Sequence, residues 1–334
     1  MFQPSPDIKD TFNILNAASK AVVLDVFLFQ FQNNPVYRQY CTLLNRLPEN
    51  VKEITDIPFL PIRFFKSQQV SSTAFVPELV FESSGTSGSI NSRHFIKSKT
   101  VYEESFLRTF EQFYGNPSQY CILGLLPSYL ERGNSSLVYM VQKLIDISGH
   151  PASGFYLHDF EKLKETLIRN EAQQQKTILI GVTYALIDFA AANKLNLEHT
   201  IVMETGGMKG RRKEMTRGEV HDVLKTALDL GEVHSEYGMT ELLSQAYAKK
   251  DGIFETPPWM QVLLRAEDDP FELTANNSIK NIATGAVNII DLANLYSCAF
   301  IATDDVGKLY PNGNFEVLGR LDNSDIRGCS LLSI

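Results

Sequence analysis

A loop rich in serine, threonine and glycine follows an apolar segment early in the chain. Residues 83–89 read Ser-Ser-Gly-Thr-Ser-Gly-Ser and come directly after a short strand predicted at 79–82. Hydroxyl groups, backbone N–H groups and flexible glycines can wrap phosphate oxygens. The loop lacks the Gly-Lys-Ser/Thr ending of a P-loop and the spacing of a G-x-S-x-G nucleophile elbow. Its composition therefore indicates a phosphate-binding loop, with a plain surface loop as the alternative.

A second motif occupies residues 235–241, which read Ser-Glu-Tyr-Gly-Met-Thr-Glu. It lies where a buried strand is expected to end, and ligands of open α/β sheets bind at the carboxyl ends of strands. The ring of Tyr237 can stack on a base, and the carboxylate of Glu241 can hold Mg²⁺ that bridges phosphates. The alternative is a plain turn before a helix, because an acidic residue such as Glu241 is favoured in a first helical turn.

A third set of polar residues lies near the C-terminal end of the chain. Thr303-Asp304-Asp305 precedes Asn312-Gly313, which is followed by Gly319-Arg320-Leu321-Asp322. An aspartate carboxylate can accept hydrogen bonds from both hydroxyl groups of a ribose. The alternative is an acidic β-hairpin, because Asn-Gly is a strong turn dipeptide.

Histidines and cysteines supply the remaining candidates for chemistry. His94 and His234 lie beside the motifs, and His234 either faces a pocket or is partly buried and hydrogen-bonded. Cys329 is either a nucleophile, with its pKa lowered by nearby Arg327, or a tail cysteine without a role. The cysteines in apolar contexts, which read as core thiols, are Cys41, Cys121 and Cys298.

The elements that must position these residues alternate between strand and helix. Strands are predicted at 120–126, 177–182, 200–204 and 231–236, and helices at 135–147, 183–193 and 216–229, with a further helix starting after the last of these strands. This alternation predicts a mostly parallel sheet with helices on its faces. After residue 250, short strands within 253–265, 286–290 and 300–318 predict an antiparallel or barrel-like subdomain.

The N-terminal part contains helices and one buried extended segment. Helical spacing of apolar residues covers 8–45, and an apolar, proline-containing segment covers 57–62. Thr100-x-x-Glu103 is predicted to form a capping box. The aromatic residues of the helix behind it are interpreted as core, and they are Tyr102, Phe106, Phe110 and Phe113.

Composition excludes several classes of protein. The 334 residues include 31 Lys and Arg against 39 Asp and Glu, a net charge of -8, which argues against a broad nucleic-acid-binding surface. The basic stretch 209–217 is interrupted by Glu214 and is interpreted as solvated surface. No signal-peptide pattern or apolar run long enough for a membrane span occurs, and no CxxC pair is present. The expected protein is cytoplasmic, with no nucleic-acid partner.

The joint order of the motifs resembles the adenylate-forming (ANL) superfamily of acyl-CoA synthetases, luciferases and adenylation domains. The resemblance spans residues 57–329. Tyr237–Glu241 matches the superfamily's YGxTE motif, and 204–208, with Gly206 and Gly207, resembles its adenine-lining segment. Asp305 and Arg320 lie in segments that resemble its ribose-binding and hinge motifs. The residues that resemble its phosphate loop are Ser83, Ser84, Gly85, Thr86, Ser87 and Gly88.

A narrower resemblance is to the acyl-protein synthetase (LuxE) branch. It rests on segments 59–66, 92–94, 127–132 and 327–330. In that branch a cysteine near the C-terminus accepts the acyl group from acyl-AMP, and Cys329 lies in the matching place. The chain departs from the superfamily where Ser89-Ile90-Asn91 replaces the usual Pro-Lys, so Arg93 is the candidate for the missing charge, and where Asp304 replaces a glycine.

The resemblance implies an α/β fold: a large ANL-type adenylation domain with mostly parallel sheets flanked by helices, plus a smaller β-rich subdomain. The adenylation core would cover 1–318, and a hinge and short arm 319–334, with the C-terminal domain absent or vestigial. It also implies ATP and Mg²⁺ as cofactors and a carboxylic acid, such as a fatty acid, as the substrate.

The resemblance also assigns roles to residues. Glu241 would hold Mg²⁺, Thr240 would contact the α-phosphate, Tyr237 would cover the adenine and Asp305 would bind the ribose. Arg320 would act at the hinge. The acyl acceptor would be Cys329, a partner protein or coenzyme A. The alternative functions are an acid–CoA ligase and a non-catalytic nucleotide- or acyl-binding protein.

Overall fold

The computed structural model describes residues 13, 18–83, 90–126, 134–157, 159–206, 215–266 and 268–321. The α-helices are α1 (Lys20–Asn33), α2 (Pro35–Leu43), α3 (Phe64–Ser67), α4 (Lys99–Tyr114), α5 (Ser136–Ser148), α6 (Phe160–Ala172), α7 (Thr183–Ala192) and α8 (Arg217–Leu228). The strands of the parallel half and of a small hairpin are β2 (Leu79–Glu82), β3 (Arg93–Ile96), β4 (Cys121–Leu125), β5 (Gly154–Phe155), β6 (Thr177–Gly181), β7 (Thr200–Glu204), β8 (His234–Tyr237) and β9 (Ala246–Ala248). The remaining strands are β1 (Leu60–Pro61), β10 (Met260–Arg265), β11 (Leu273–Ala275), β12 (Ala283–Asp291), β13 (Phe300–Leu309) and β14 (Phe315–Arg320).

The first sheet has the strand order β5-β4-β6-β7-β8-β9 and is parallel except for β9. Strands β4 and β6 are buried along their whole length, which explains their continuous apolar sequences. Helices α5 to α8 connect or flank these strands, so the predicted strand and helix alternation is confirmed. Strand β8 begins at His234, later than predicted, because residues 231 and 232 form an exposed turn after α8.

The second sheet has the order β1-β13-β12-β10-β11, with β14 paired to β13. All its pairs are antiparallel except β1 with β13. The predicted antiparallel subdomain is therefore confirmed. Its parallel edge comes from the predicted extended segment near residue 60, where Leu60 is buried. Separately, β2 and β3 form an antiparallel hairpin on either side of the predicted phosphate loop.

The helix α4 begins differently from the prediction. Its N-cap is Ser98, and the Lys99 N–H donates to Glu78 Oε2 at 2.9 Å, so no capping box forms at Thr100. Glu103 instead accepts the Tyr139 hydroxyl at 2.6 Å. Its aromatic residues lie in the core as predicted, and those buried are Tyr102, Phe106, Phe110 and Phe113.

The segment after β8 also differs from the prediction, because residues 238–245 form a turn and not a helix. The buried carboxylate of Asp291 accepts the N–H groups of Leu243 at 2.8 Å and Ser244 at 3.0 Å. These donors are therefore satisfied without helical hydrogen bonds, and the chain returns as β9 antiparallel to β8.

The three described cysteines Cys41, Cys121 and Cys298 are buried and free, and burial raises the pKa of each thiol. The prediction that they are core thiols is confirmed. Among the helices of the described ranges, none combines the length and the apolar character that crossing a membrane requires. The division into 1–318 and 319–334 stays a prediction, since 322–334 lie outside the described residues.

Candidate active site

Tyr237 connects the two sheets at the carboxyl end of β8. Its hydroxyl donates to Asp305 Oδ2 on β13 at 2.8 Å. Its ring lies 5.3 Å from that of Phe315 and 5.7 Å from that of Phe254. Burial and the nearby Asp305 raise the pKa of Tyr237 well above its ordinary value, so the hydroxyl stays a neutral donor. The second and third sequence motifs therefore meet at one place.

Arg320 and Asp305 are cross-strand partners on β14 and β13. The Arg320 Nε lies 3.5 Å from Asp305 Oδ1, and the arginine side chain is 67% exposed. Burial raises the pKa of Asp305, although the Tyr237 hydrogen bond and the Arg320 charge oppose this shift. The Tyr237 hydroxyl thus fixes one carboxylate oxygen of Asp305. The other oxygen lies near the guanidinium of Arg320, whose long, exposed side chain can also reach an anionic ligand.

Glu241 is a buried carboxylate in the turn after β8. Its backbone carbonyl accepts the Asn294 side-chain amide at 2.8 Å, which fixes the turn. Burial raises the pKa of Glu241, and the Ser92 hydroxyl, Arg320 and Lys66 offset this only in part. A buried carboxylate with too little compensating positive charge is suited to hold a cation.

The donor set fits Mg²⁺ held jointly by protein and phosphate. In the part of the chain that the structure describes, no group of three or more His, Cys, Asp or Glu side chains could form a metal cage. Mg²⁺ commonly uses one or two carboxylates together with phosphate oxygens and water. Glu241 would be the residue to supply that carboxylate, and its role stays a prediction.

His94 positions the Thr240–Glu241 turn from the neighbouring hairpin. Its Nδ1 lies 2.8 Å from the Thr240 carbonyl oxygen. Burial lowers the pKa of His94 to about 4, so the ring is neutral at pH 7 and its Nδ1 carries the hydrogen that the carbonyl accepts. The ring also packs edge-on against Phe65 at 5.5 Å. His94 is therefore a buried, hydrogen-bonded residue that supports the turn.

The base of the predicted phosphate loop lies beside Glu241. The Ser83 N–H donates to the Ser92 carbonyl at 3.0 Å, and the Ser92 N–H donates to Ser83 Oγ at 2.9 Å. The Ser92 side chain also lowers the pKa of Glu241, so the two ends of the loop are joined near this carboxylate. The predicted loop residues outside the described ranges are Ser84, Gly85, Thr86, Ser87 and Gly88.

The adenine-lining segment predicted from the resemblance begins at the end of β7, beside β8. Gly206 adopts a φ of +70°, and its N–H donates to Glu204 Oε2 at 2.8 Å. The hydroxyl of Thr205 is buried without a partner among the described residues, so it remains able to bond a ligand. Gly207 lies outside the described residues.

Sequence reasoning missed the buried ion pair beneath this segment. Arg217 Nε lies 3.1 Å from Glu204 Oε1, and its Nη1 donates to the Val317 carbonyl at 3.1 Å. Burial alone would raise the pKa of Glu204, but the neighbouring His221 ring, the Arg217 charge and the Gly206 N–H lower it to about 2. Arg217 therefore ties the parallel sheet to β14, and assigning it to a solvated surface was wrong.

Glu236 is a second residue that the sequence did not single out. Burial, and then the charge of Glu204, raise the pKa of Glu236 to about 8. Its carboxylate packs beside Gly238, where a Cβ atom would lie 2.3 Å from Glu236 Oε1. This close approach explains why glycine occupies position 238. His234, on the same face as Glu236, bonds the Tyr114 hydroxyl at 3.1 Å and does not face Asp305.

Cys329 lies outside the described residues, so its predicted role stays a prediction. The described residues that the fold brings together are Tyr237, Thr240, Glu241, Asp305, Arg320 and the loop base at Ser83. Together they form a polar site where two sheets meet, with a buried carboxylate at each end.

Sequence comparison identifies one family. A family model of acyl-protein synthetases (LuxE) matches residues 11–333. A long-chain-fatty-acid–luciferin-component ligase from Aliivibrio fischeri is 24% identical over 339 residues, covering 93% of this chain and 86% of that protein. The ligase of the same name from Photorhabdus luminescens is 37% identical over 70 residues, covering 21% of this chain and 60% of that protein.

Structural comparison shows the fold. A long-chain-fatty-acid-CoA ligase (FadD1) from Archaeoglobus fulgidus has a TM-score of 0.51 and 12% identity, covering 73% of this chain and 51% of that chain. A luciferase-like enzyme from Zophobas morio has a TM-score of 0.50 and 13% identity, covering 75% of this chain and 60% of that chain. The chain thus spans about half to three fifths of these solved proteins. The α/β adenylation-domain fold is confirmed.

Proposed function

The chain belongs to the acyl-protein synthetase (LuxE) family, and from that premise we propose that this enzyme uses ATP to activate a carboxylic acid as acyl-AMP and then transfers the acyl group to a thiol. The observation that carries the proposal is the convergence of Tyr237, Asp305, Arg320 and Glu241 at the meeting point of the two sheets. Nucleoside and phosphate groups would find their ligands there in one connected site.

In the first step, a carboxylate oxygen attacks the α-phosphorus of ATP. The new O–P bond forms as the bond to the bridging oxygen breaks, and pyrophosphate leaves with the electron pair. No proton has to move, so the protein's task is positioning and charge neutralisation. Mg²⁺, when bound, would neutralise part of the triphosphate charge, and Glu241 would hold it.

The nucleoside would lie along β7 and β8. Gly206 and Gly207 would line the adenine and Tyr237 would cover it. Asp305 would accept the ribose hydroxyls, a role supported by its fixed position beside the Tyr237 hydroxyl at 2.8 Å. Arg320 is exposed enough to move from Asp305 to a phosphate.

The phosphates would lie over the loop after β2. The hydroxyls and backbone of 83–88 would cradle them, and Thr240 would contact the α-phosphate. This arrangement is supported by the Ser83–Ser92 hydrogen bonds, which hold the loop base beside Glu241. His94 would keep the turn in register through the Thr240 carbonyl.

In the second step, a thiolate attacks the acyl carbonyl carbon of acyl-AMP. The C–S bond forms, the C–O bond to AMP breaks, and AMP leaves. We propose Cys329 as the acceptor, with transfer onward to a partner protein; coenzyme A is the alternative acceptor. The names of the relatives support a long-chain fatty acid as the acid. A cytoplasmic location is part of the proposal, supported by the free, buried thiols of the described cysteines.

Incubation with ATP, Mg²⁺ and radiolabelled fatty acid tests the proposal. We expect a protein-bound label that hydroxylamine releases and that Cys329→Ser abolishes, whereas the matched variant Cys121→Ala keeps it. Soluble acyl-CoA formed on addition of coenzyme A, without a protein label, would favour the acid–CoA ligase. Binding of ATP without any labelled product would contradict both and favour a non-catalytic binding protein.

A further inference from the structure

Short helix α3 places a lysine at the phosphate end of the site. Lys66 lies at the exposed end of this helix, next to the buried Phe65. The Phe65 ring packs 5.5 Å from the His94 ring, and His94 bonds the Thr240 carbonyl at 2.8 Å. These two contacts connect Phe65, the neighbour of Lys66, to Thr240, the neighbour of Glu241. The positive charge of Lys66 also lowers the pKa of the Glu241 carboxyl.

The helix is anchored on its other side as well. Strand β1, just before it, pairs in parallel with β13, and the Ile62 N–H donates to the Ala302 carbonyl at 2.9 Å. Arg63 Nε lies 3.4 Å from Asp304 Oδ2. The position of Lys66 is therefore fixed relative to both the β13 motif and the Thr240–Glu241 turn.

Among the described residues at this end of the site, the charged side chains differ in whether they have an ion-pair partner. The loop segment 83–91 contains no lysine or arginine. Arg320 is paired with Asp305, and Arg63 with Asp304. Lys66, in contrast, forms no ion pair or side-chain hydrogen bond with any residue in the described ranges. An ATP triphosphate carries several negative charges, and cations that neutralise them are a general requirement of phosphoryl chemistry.

Arg93, the cation that the sequence suggested for this charge, lies elsewhere. Alternate residues of a strand face opposite sides, so Arg93 points away from the face on which His94 meets α3. Its guanidinium lies over the Phe95 ring at 5.6 Å, and its cross-strand partner is Glu82. Of the two candidate cations compared, Lys66 therefore lies on the His94 side of the hairpin and Arg93 on the opposite side.

We propose that Lys66 binds the β- and γ-phosphates of ATP and the pyrophosphate that they become. The inference rests on the proposed function, because it assigns a ligand to a residue beside the same site. Lys66 would neutralise charge that builds on the leaving pyrophosphate, a task separate from the ribose contact at Asp305. Its substrate contact is thus confined to the part of ATP that AMP lacks.

Binding of ATP and of AMP, measured by calorimetry with Mg²⁺ present, tests the inference in the full chain. We expect Lys66→Met to weaken ATP binding by about 10-fold to 100-fold and to leave AMP binding unchanged. The variant Lys66→Arg, which keeps the positive charge, should bind ATP as the wild type does. Lys194→Met is the matched control, since Lys194 is also exposed but lies before the amino end of β7, whereas the site lies at the carboxyl ends of β7 and β8.

Each other outcome has a distinct meaning. Equal ATP affinity in wild type and Lys66→Met would overturn the inference and leave the proposed function standing. A parallel loss of ATP and AMP affinity would also overturn it, because it would show a structural effect on the whole site. If the wild-type protein bound neither nucleotide, the proposed function itself would fail.

Discussion

Three buried glutamates near the site differ in pKa because their neighbours differ. Glu204 is surrounded by donors and Arg217, and its pKa falls to about 2. Glu236 has the charge of Glu204 nearby and little compensation, and its pKa rises to about 8. Burial also raises the pKa of Glu241, and the Ser92 side chain, Arg320 and Lys66 oppose this shift. Glu204 is thus a structural anion, whereas Glu241 is suited to bind a cation.

Glu236 predicts a pH dependence of stability. Its folded pKa of about 8 exceeds its ordinary value of 4.5, so the folded state binds the extra proton between these values. The stability that this group contributes is fully present below pH 4.5 and is lost as pH rises through about 8. We expect the free energy of unfolding of the wild type, relative to Glu236→Gln, to fall over this window with a limiting slope of about 1.4 kcal/mol per pH unit.

Urea unfolding between pH 5.5 and 8.5 measures this difference. Glu255→Gln serves as the control, because Glu255 is exposed and its substitution should leave the pH profile parallel to that of the wild type. Parallel profiles for the wild type and Glu236→Gln would show that Glu236 has no raised pKa in the folded protein.

At the scale of elements, the turn at 238–245 depends on Asp291. This carboxylate accepts two backbone N–H groups of the turn and the Ser244 hydroxyl, the last at 2.6 Å. In Asp291→Asn, the side-chain NH₂ group replaces one of the two accepting oxygens, so at least one of these donors faces another donor and loses its hydrogen bond. We expect a loss of about 2–4 kcal/mol in the free energy of unfolding, measured by urea denaturation.

Asp251→Asn is the matched control for this loss. Asp251 is exposed and has a φ of +55°, a conformation that asparagine also adopts readily, so its substitution should change stability little. A loss of less than about 0.5 kcal/mol in Asp291→Asn would show that the turn is held by other contacts.

The same turn shows why some elements were not predictable from sequence. Strand β7 was predicted at its observed bounds, because a buried apolar strand is specified locally. A helix was wrongly expected after Tyr237, because the partner of Leu243 and Ser244 comes from Asp291, nearly fifty residues later. The capping box at Thr100 failed similarly, since Tyr139 binds the Glu103 carboxylate. Local patterns fail where a distant side chain supplies the hydrogen bond.

At the scale of the whole molecule, the two sheets are joined through the site. The Tyr237–Asp305 hydrogen bond and the Arg217–Val317 contact connect the parallel sheet to β13 and β14. The order of the motifs along the sequence predicted that Tyr237, Glu241, Asp305 and Arg320 share a site. In the structure Tyr237 and Arg320 both contact Asp305, and the Arg320 charge lowers the pKa of Glu241, whereas their shared role stays a prediction. Glu204 and Glu236 fall within predicted motifs, but their contacts with each other and with Arg217 join residues far apart in sequence, so only the three-dimensional arrangement reveals them.

This connection predicts that Tyr237 contributes to both stability and nucleotide binding. Tyr237→Phe leaves the buried Asp305 carboxylate without its hydroxyl donor, and we expect a loss of about 1–3 kcal/mol in the free energy of unfolding. ATP affinity should fall as well, because Asp305 loses its fixed position. Tyr296→Phe is the control. The Lys97 Nζ lies 4.0 Å from the centroid of the Tyr296 ring, and this ring does not take part in the Tyr237–Asp305 contact. Unchanged stability and affinity in Tyr237→Phe would contradict the bridging role.

ATP–pyrophosphate exchange by the purified protein, across a panel of fatty and aromatic acids, tests adenylate formation most directly. We expect exchange that depends on the acid and that falls by about 100-fold or more in Glu241→Gln, while Glu104→Gln, at the salt bridge of Glu104 with Arg108 on α4, retains it. Absence of exchange with every acid, in a protein that still binds ATP, would contradict the proposal that this site forms acyl adenylates.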